Sequence, residues 1–135
     1  MNVYRGARSK RRGNAAVELA ITLPIIATVI FGSVEVCSLA YNKQAVVSAA
    51  YECATVAVQA EGTDAQVQSR MSEILTQRGV VGGAVTTAPA SIEGIPRGTQ
   101  ITVTVSAPVL GNSMIPFPTY GPANIQAQCV MLKEL

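Results

Sequence analysis

The sequence predicts an α+β fold with one long N-terminal helix, a short second helix and a small antiparallel sheet of about three strands. Three observations lead to this fold class. An uncharged, mostly apolar run occupies residues 19–34, a helix-capping pattern with helical spacing follows at residues 63–78, and apolar and polar residues alternate over 99–107 and 125–131. At 135 residues, the chain has room for one domain.

The long helix is expected to cross a membrane. The segment from Leu19 to Tyr41 contains one charged residue, Glu35, and at about 1.5 Å per residue it is long enough for a hydrocarbon core of about 30 Å. Residues 1–13, which precede this segment, have five basic residues and no acid: Arg5, Arg8, Lys10, Arg11 and Arg12. A basic flank predicts a cytoplasmic N-terminus and a far-side location for everything after Tyr41. We expect Glu35 to be solvated near the far headgroup layer.

Pro24 lies inside the predicted helix. A proline removes one backbone hydrogen bond and is expected to kink the helix. In a membrane such a residue is tolerated when hydroxyl groups or neighbouring helices satisfy the freed backbone group, and Thr22 and Thr28 are the candidates here.

The helix is expected to continue out of the membrane to about residue 60, because residues 33–60 contain no Gly or Pro. A polar stripe (Gln44, Ser48, Glu52, Thr55 and Gln59) lies opposite an apolar face (Val46, Ala50, Cys53 and Ala57). The predicted organisation is therefore a basic leader at 1–13, a transmembrane half of the helix at 14–41, and an α+β head at 42–135 that includes the helix continuation at 42–60.

Local signals place the remaining elements of the head. Thr63 and Gln66 have the spacing of a capping box, and Gly79 suits a helix C-terminus, so a second helix is expected at 64–78. Residues 80–87 suggest a strand interrupted by Gly82-Gly83, and 91–93 a short extended piece. The clearest strand is 99–107, ended by Pro108; residues 108–122 read as a long loop before a last strand at 125–131.

Two cysteines fall on apolar faces that are expected to pack together. Cys53 lies on the long helix and Cys129 on the last strand, so they are candidates for a disulfide in an oxidising compartment. The alternative is a pair of buried free thiols, since cysteine packs as a small apolar residue. Cys37 is expected to stay free.

The composition argues against catalysis. The chain has no His, the commonest general base and metal ligand, and no Trp. It has no Gly-x-Ser-x-Gly or Ser-x-x-Lys arrangement, and no Gly-rich phosphate loop follows a strand. We expect no enzyme activity, cofactor, metal or small-molecule substrate, and we interpret the basic leader as a topology signal rather than a nucleic-acid site.

The layout of the N-terminal region resembles that of type IV prepilins. A basic leader ends at Gly13, four residues follow, and Glu18 precedes a long apolar helix. Leu23-Pro24, the Phe-Gly-x-Val-Glu run at 31–35 and the Tyr-Asn-Lys-Gln-Ala run at 41–45 are similar to the TadE-like pseudopilins of the tight-adherence (Flp) pilus system. This resemblance implies a pilin-like fold in a minor pilin that takes part in pilus assembly and surface adhesion.

The resemblance also implies site residues and partners. A prepilin peptidase would cut after Gly13, Asn14 would become the mature N-terminus, and Glu18 would pair with the N-terminal amine of a neighbouring subunit. The implied partners are that peptidase, other pilin subunits, the pilus assembly platform and membrane lipid, and the implied location is the bacterial inner membrane with a periplasmic head.

A second hypothesis is a secreted or membrane-anchored binding domain. Ser38-Leu39-Ala40 resembles the small-x-small site of a conventional signal peptide, which would release a domain that begins at Tyr41. An uncleaved signal anchor would instead keep that domain on the membrane.

Overall fold

The structure, a computed structural model, describes residues 7–115 and 123–133. Two helices precede three strands: α1 (Ala7–Val58), α2 (Asp64–Gln77), β1 (Ala84–Ala88), β2 (Gln100–Pro108) and β3 (Asn124–Leu132). The strands form one antiparallel sheet in the order β1-β2-β3. The predicted α+β class, with a long helix, a short helix and a three-stranded sheet, is confirmed.

Helix α1 is longer at its start than the sequence led us to expect. It has 52 residues and begins at Ala7, so its first turns lie in the stretch predicted to be a basic leader that precedes the helix. Alanine, arginine and lysine have high helix propensity, and Gly13 alone does not outweigh them. The helix ends at Val58, two residues before the predicted end, which is within the usual variation of helix boundaries. The chain divides into two compact units between Val36 and Cys37.

The second unit has one hydrophobic core. Helix α1 contributes small residues that are at most 1 % exposed, among them Ala45, Ala49, Cys53 and Ala57. Buried residues of α2 (Val67, Met71, Ile74 and Leu75) and of β2 (Ile101, Val103, Val105 and Ala107) complete this core. Small side chains on α1 let the helix backbone approach its neighbours closely, and the larger residues of α2 and β2 fill the remaining space.

Helix α2 begins with the predicted capping box. The backbone N–H of Gln66 donates to Thr63 Oγ1 at 3.3 Å, and the backbone N–H of Thr63 donates to Gln66 Oε1 at 3.1 Å. The helix ends at Gln77, Arg78 is its C-cap, and Gly79 follows with a φ of +70°. Both ends therefore satisfy backbone groups that a helix leaves unpaired.

The sheet follows the predicted alternation, with two differences at its ends. Val103 lies opposite Cys129 on the inward face, and Thr104 lies between Thr86 and Gln128 on the outward face. Strand β1 begins only after Gly82, whose φ of +74° interrupts an extended backbone. Residues 91–93 form no strand, yet Ile92 is fully buried in the connection to β2. The part of the predicted 108–122 loop from residue 116 to residue 122 lies outside the described residues.

Long-range polar contacts hold residues 43–57 of α1 against the sheet. The Nζ atom of Lys133 donates to the backbone carbonyl of Ala57 at 3.2 Å, and the Nζ atom of Lys43 donates to that of Gln126. From Lys43 to Ala57 the helix rises about 21 Å, and from Gln126 to Lys133 the extended chain of β3 rises about 23 Å. Because the two lengths agree and the earlier residue of α1 contacts the earlier residue of β3, the two segments run side by side in the same direction.

Candidate functional site

The apolar part of α1 in the first unit is exposed along its whole length. None of its most apolar 18-residue window is buried, and it is long and apolar enough to cross a membrane. The exposed large side chains include Leu19, Ile21, Leu23, Ile25, Ile26, Val29, Ile30 and Phe31. A continuous apolar surface of this kind is unfavourable in water, so lipid or other apolar helices must cover it.

Gly13 and Asn14 are exposed and lie within α1. A Cβ atom built at Gly13 would have no other group within 4 Å, so no neighbouring side chain restricts access to this residue. The peptide bond between them is helical here, whereas a protease cleft binds extended backbone. Glycine lowers the cost of unwinding, because it destabilises a helix interior by about 0.5–1 kcal/mol relative to alanine.

Glu18 lies one turn after Asn14 on the exposed surface of α1. Its backbone carbonyl accepts a hydrogen bond from Thr22 Oγ1 at 3.0 Å. The ion pairs found among the described residues lie in the head and do not include the Glu18 carboxylate. The carboxylate is thus accessible to a group from another chain.

Pro24 lies inside α1, as predicted. Thr28 Oγ1 donates to the carbonyl of Pro24 at 2.8 Å, and Thr22 Oγ1 donates to the carbonyls of Glu18 and Leu19. The carbonyl that loses its partner because of Pro24 is that of Ala20, four residues earlier. The two hydroxyls therefore bond to carbonyls of neighbouring turns. We had expected them to satisfy the backbone group that Pro24 leaves without a hydrogen bond, and this expectation is wrong.

Glu35 is buried, with 5 % of its surface exposed, so the expectation that it is solvated is wrong. The sequence pattern showed the charge but not the side of the helix on which it lies.

The predicted disulfide is not formed in this structure: Cys53 and Cys129 are both free thiols, as is Cys37. Cys53 Sγ instead donates to the backbone carbonyl of Val67 at 3.5 Å, which directs it toward α2. Burial, and to a smaller extent Glu52, raise the pKa of the Cys53 thiol to about 11, while Arg70 opposes them. A thiol in this environment stays protonated and unreactive at neutral pH.

Several polar residues that organise the head were not identified from the sequence. The Asn112 side chain accepts from the backbone N–H of Val81 at 2.7 Å and donates to the backbone carbonyls of Val81 and Pro108. The backbone carbonyl of Asn112 accepts from Asn42 Nδ2 at 2.6 Å. Asn112 thereby joins α1 to the segments before β1 and after β2. The local sequence indicates only a turn here, because Asn112 lies in a Gly-Asn-Ser run three residues after Val109.

A second polar group joins α1 to α2. Arg70 Nη2 lies 2.5 Å from Glu52 Oε2, and Arg70 Nη1 lies 2.8 Å from Glu73 Oε2. The hydrogen bonds that Arg70 donates to Glu73 and Glu52 raise the pKa of its guanidinium. Within the described ranges, no group of three His, Cys, Asp or Glu side chains is placed to hold a metal ion.

Residues 13–55 match the family model described as TadE-like protein. This match confirms the resemblance to the TadE-like family seen in the sequence, and it covers most of α1, including Gly13, Asn14 and Glu18. The TadE-like pilins are a structural, non-enzymatic family that is associated with the tight-adherence pilus. No curated protein and no solved structure matches the chain.

Proposed function

Proceeding from the TadE-like character of residues 13–55, we propose that this chain is a minor pilin of a tight-adherence (Flp) pilus that takes part in assembly and surface adhesion. The observation that carries the proposal is that four residues separate Gly13 from Glu18 at the start of an exposed apolar helix, within the residues that the family model matches. Helix α1 anchors the chain in the bacterial inner membrane, with residues 1–13 in the cytoplasm and the head at 42–135 in the periplasm.

A prepilin peptidase removes residues 1–13 by cutting between Gly13 and Asn14. The exposure of both residues and the open space around Gly13 support this step. Because the bond lies inside α1, local unwinding precedes cleavage, and glycine lowers the cost of that unwinding. The remaining chain, residues 14–135, carries a folded head in addition to its helix, which favours a minor component over a small major pilin.

After cleavage, the new ammonium group of Asn14 pairs with Glu18 of a neighbouring subunit. An ammonium and a carboxylate at the margin of a membrane are each costly alone and favourable together. The exposure of Glu18, outside the ion pairs of the described residues, supports an intermolecular partner. A contact from one end of a subunit to another site on the next does not close on itself, so it builds a filament.

The first experiment determines the mature N-terminus by intact mass and N-terminal sequencing of protein from native membranes. We expect the wild-type chain and Gly32→Leu to begin at Asn14, and Gly13→Leu to keep its leader. Gly32 is the matched control, because it is a second α1 glycine with no group within 4 Å of an added Cβ. A wild-type N-terminus at Tyr41 would establish a secreted domain, and an intact Met1 would exclude leader processing.

A second experiment tests Glu18. The Glu18→Ala variant is expected to insert into the membrane and be processed but to be lost from purified pili, measured by immunoblotting of sheared filaments. Glu61→Ala, at an exposed glutamate of the head, is expected to be incorporated like the wild type. Normal incorporation of Glu18→Ala would exclude the ion pair as a requirement for assembly.

A further inference from the structure

Three large apolar side chains of the head are exposed around Asn112. Val81, Leu110 and Met114 have 65 %, 50 % and 69 % of their surfaces exposed. Val81 bonds to the Asn112 side chain through both its backbone N–H and its carbonyl, and Leu110 and Met114 are each two residues from Asn112. We call these three side chains the apolar tip. A single exposed apolar residue is ordinary, but three around one residue form a patch that water does not favour.

A hydrogen bond places the apolar tip beside the point where the chain leaves its apolar segment. Asn42 Nδ2 donates to the backbone carbonyl of Asn112 at 2.6 Å, and Asn42 directly follows the segment that ends at Tyr41. Two residues of chain span at most about 7 Å, so Leu110 and Met114 stay within that distance of Asn112. The headgroup layer on each side of a bilayer is about 5–7 Å thick. The apolar tip is therefore within reach of this layer.

The charges near the apolar tip are basic. Lys43 is next to Asn42 in the chain, Arg78 is three residues before Val81, and both side chains are exposed. Lys43 donates one of its three N–H groups to the carbonyl of Gln126, which leaves two for another acceptor. Two acidic residues of the described head are in ion pairs with Arg70, and the others lie in or next to the connections between elements: Glu52 and Glu73, then Glu61, Asp64 and Glu93.

Those connections are at the opposite end of the head. The connection from β1 to β2 ends beside Lys133, because the backbone N–H of Gly98 donates to the Lys133 carbonyl. Lys133 in turn contacts Ala57, in the last turn of α1, from which the connection to α2 begins. The helix rises about 21 Å from Lys43 to Ala57. The basic end that carries the apolar tip is thus separated from the end that carries the unpaired acids.

We propose that the apolar tip inserts into the headgroup layer of the membrane that α1 spans, with Lys43 and Arg78 beside the phosphates of anionic phospholipids; this contact rests on the membrane anchoring in the proposed function. Apolar side chains next to cations are the combination by which protein surfaces bind at the boundary between headgroups and acyl chains. The contact holds the head on the bilayer before assembly, and it breaks when the subunit leaves the membrane for a filament.

Tryptophan fluorescence of the full chain in lipid vesicles tests this contact. The chain has no Trp, so one introduced indole reports its own position. The vesicles contain phosphatidylcholine and phosphatidylglycerol, with or without dibrominated acyl chains, which quench a nearby indole. Quenching of Met114→Trp by roughly two-fold is expected, because interfacial side chains reach the acyl boundary. Leu132→Trp is the matched control, since Leu132 is 63 % exposed but lies next to Lys133 at the opposite end, and it should not be quenched.

Val29→Trp, in the apolar run, reports the membrane span in the same vesicles. Quenching of Val29→Trp without quenching of Met114→Trp would refute this inference alone, whereas quenching of neither would refute the span and this inference with it. Equal quenching of Met114→Trp and Leu132→Trp would show a head that lies along the bilayer, and would overturn the assignment to the apolar tip. A blue-shifted Met114→Trp emission without quenching would show a protein contact there, and would also overturn it.

Neutralising one cation tests the role of anionic lipid. In the Met114→Trp chain, Arg78→Gln is expected to lower the ratio of inserted to free apolar tip about five-fold, and to have no effect in vesicles of phosphatidylcholine alone. Arg97→Gln is the matched control, because Arg97 is exposed next to Gly98 at the opposite end. An unchanged ratio in Arg78→Gln, or an equal loss in Arg97→Gln, would overturn the contact between Arg78 and lipid phosphate.

Discussion

Replacing Lys133 with methionine is expected to destabilise the head by about 2–3 kcal/mol. Lys133 is 8 % exposed, and its Nζ atom donates at 3.2 Å to Ala57, one of the last carbonyls of α1. A hydrogen bond to a charged group contributes about 1.5–3 kcal/mol, and a cation at a helix C-terminus contributes about 0.3–1 kcal/mol, which partly overlaps with it. Methionine keeps most of the aliphatic stem, so the loss reports the ammonium group rather than packing.

The measurement is urea unfolding of the full chain in detergent micelles, followed by pulse proteolysis. With a slope of about 1–3 kcal/mol per molar urea, the midpoint of Lys133→Met is expected to fall by roughly 1–2 M. Lys43→Met is the matched control. Like Lys133, Lys43 donates to a backbone carbonyl on the other element, here that of Gln126 in β3, but its side chain is exposed. A midpoint shift for Lys133→Met no larger than that for Lys43→Met would refute the reasoning.

Three further changes test the interior of the head by the same unfolding assay. Thr63→Ala removes the α2 capping box and should cost about 1 kcal/mol, with a smaller effect refuting the cap's role. Gly83→Ala places a Cβ against Leu75 Cδ1 and should cost about 1–3 kcal/mol, whereas a neutral result would show that Leu75 moves away freely. Because the raised pKa of Cys53 keeps its proton on in the folded chain while the unfolded chain loses it, stability should fall between about pH 9 and 11, by at most about 3 kcal/mol. Cys53→Ala should remove this part of the pH dependence, and an unchanged pH profile would contradict it.

Elements governed by local rules were predictable from the sequence. The capping box of α2 depends on Thr63 and Gln66, which are three residues apart, and both hydrogen bonds are present. The inward positions of β2 followed from alternation, because successive side chains of a strand point to opposite faces. The long uncharged run predicted an exposed apolar helix, since its composition suits lipid.

Contacts between distant residues were not predictable. Lys133 contacts a carbonyl 76 residues away, and nothing in its own neighbourhood shows that it will be buried. The cysteine prediction placed Cys53 and Cys129 on inward faces correctly, but a shared core does not bring two Sγ atoms to bonding distance. The exposure of Val47 and Tyr51, on the same side of the helix as the polar stripe, was also not predicted. It depends on how far α2 and the sheet cover the helix.

The contacts between α1 and the end of the sheet have a consequence for the time at which the head folds. Asn42, Lys43 and Ala57 of α1 meet partners that are 70, 83 and 76 residues further along the chain. A ribosome makes these partners last, and contacts between distant residues also form slowly. For several seconds at roughly 5–20 residues per second, α1 is complete while the surface that will cover its buried side is still being synthesised. A chaperone or a neighbouring helix that binds α1 has only this interval in which to reach residues such as Ala49 and Cys53.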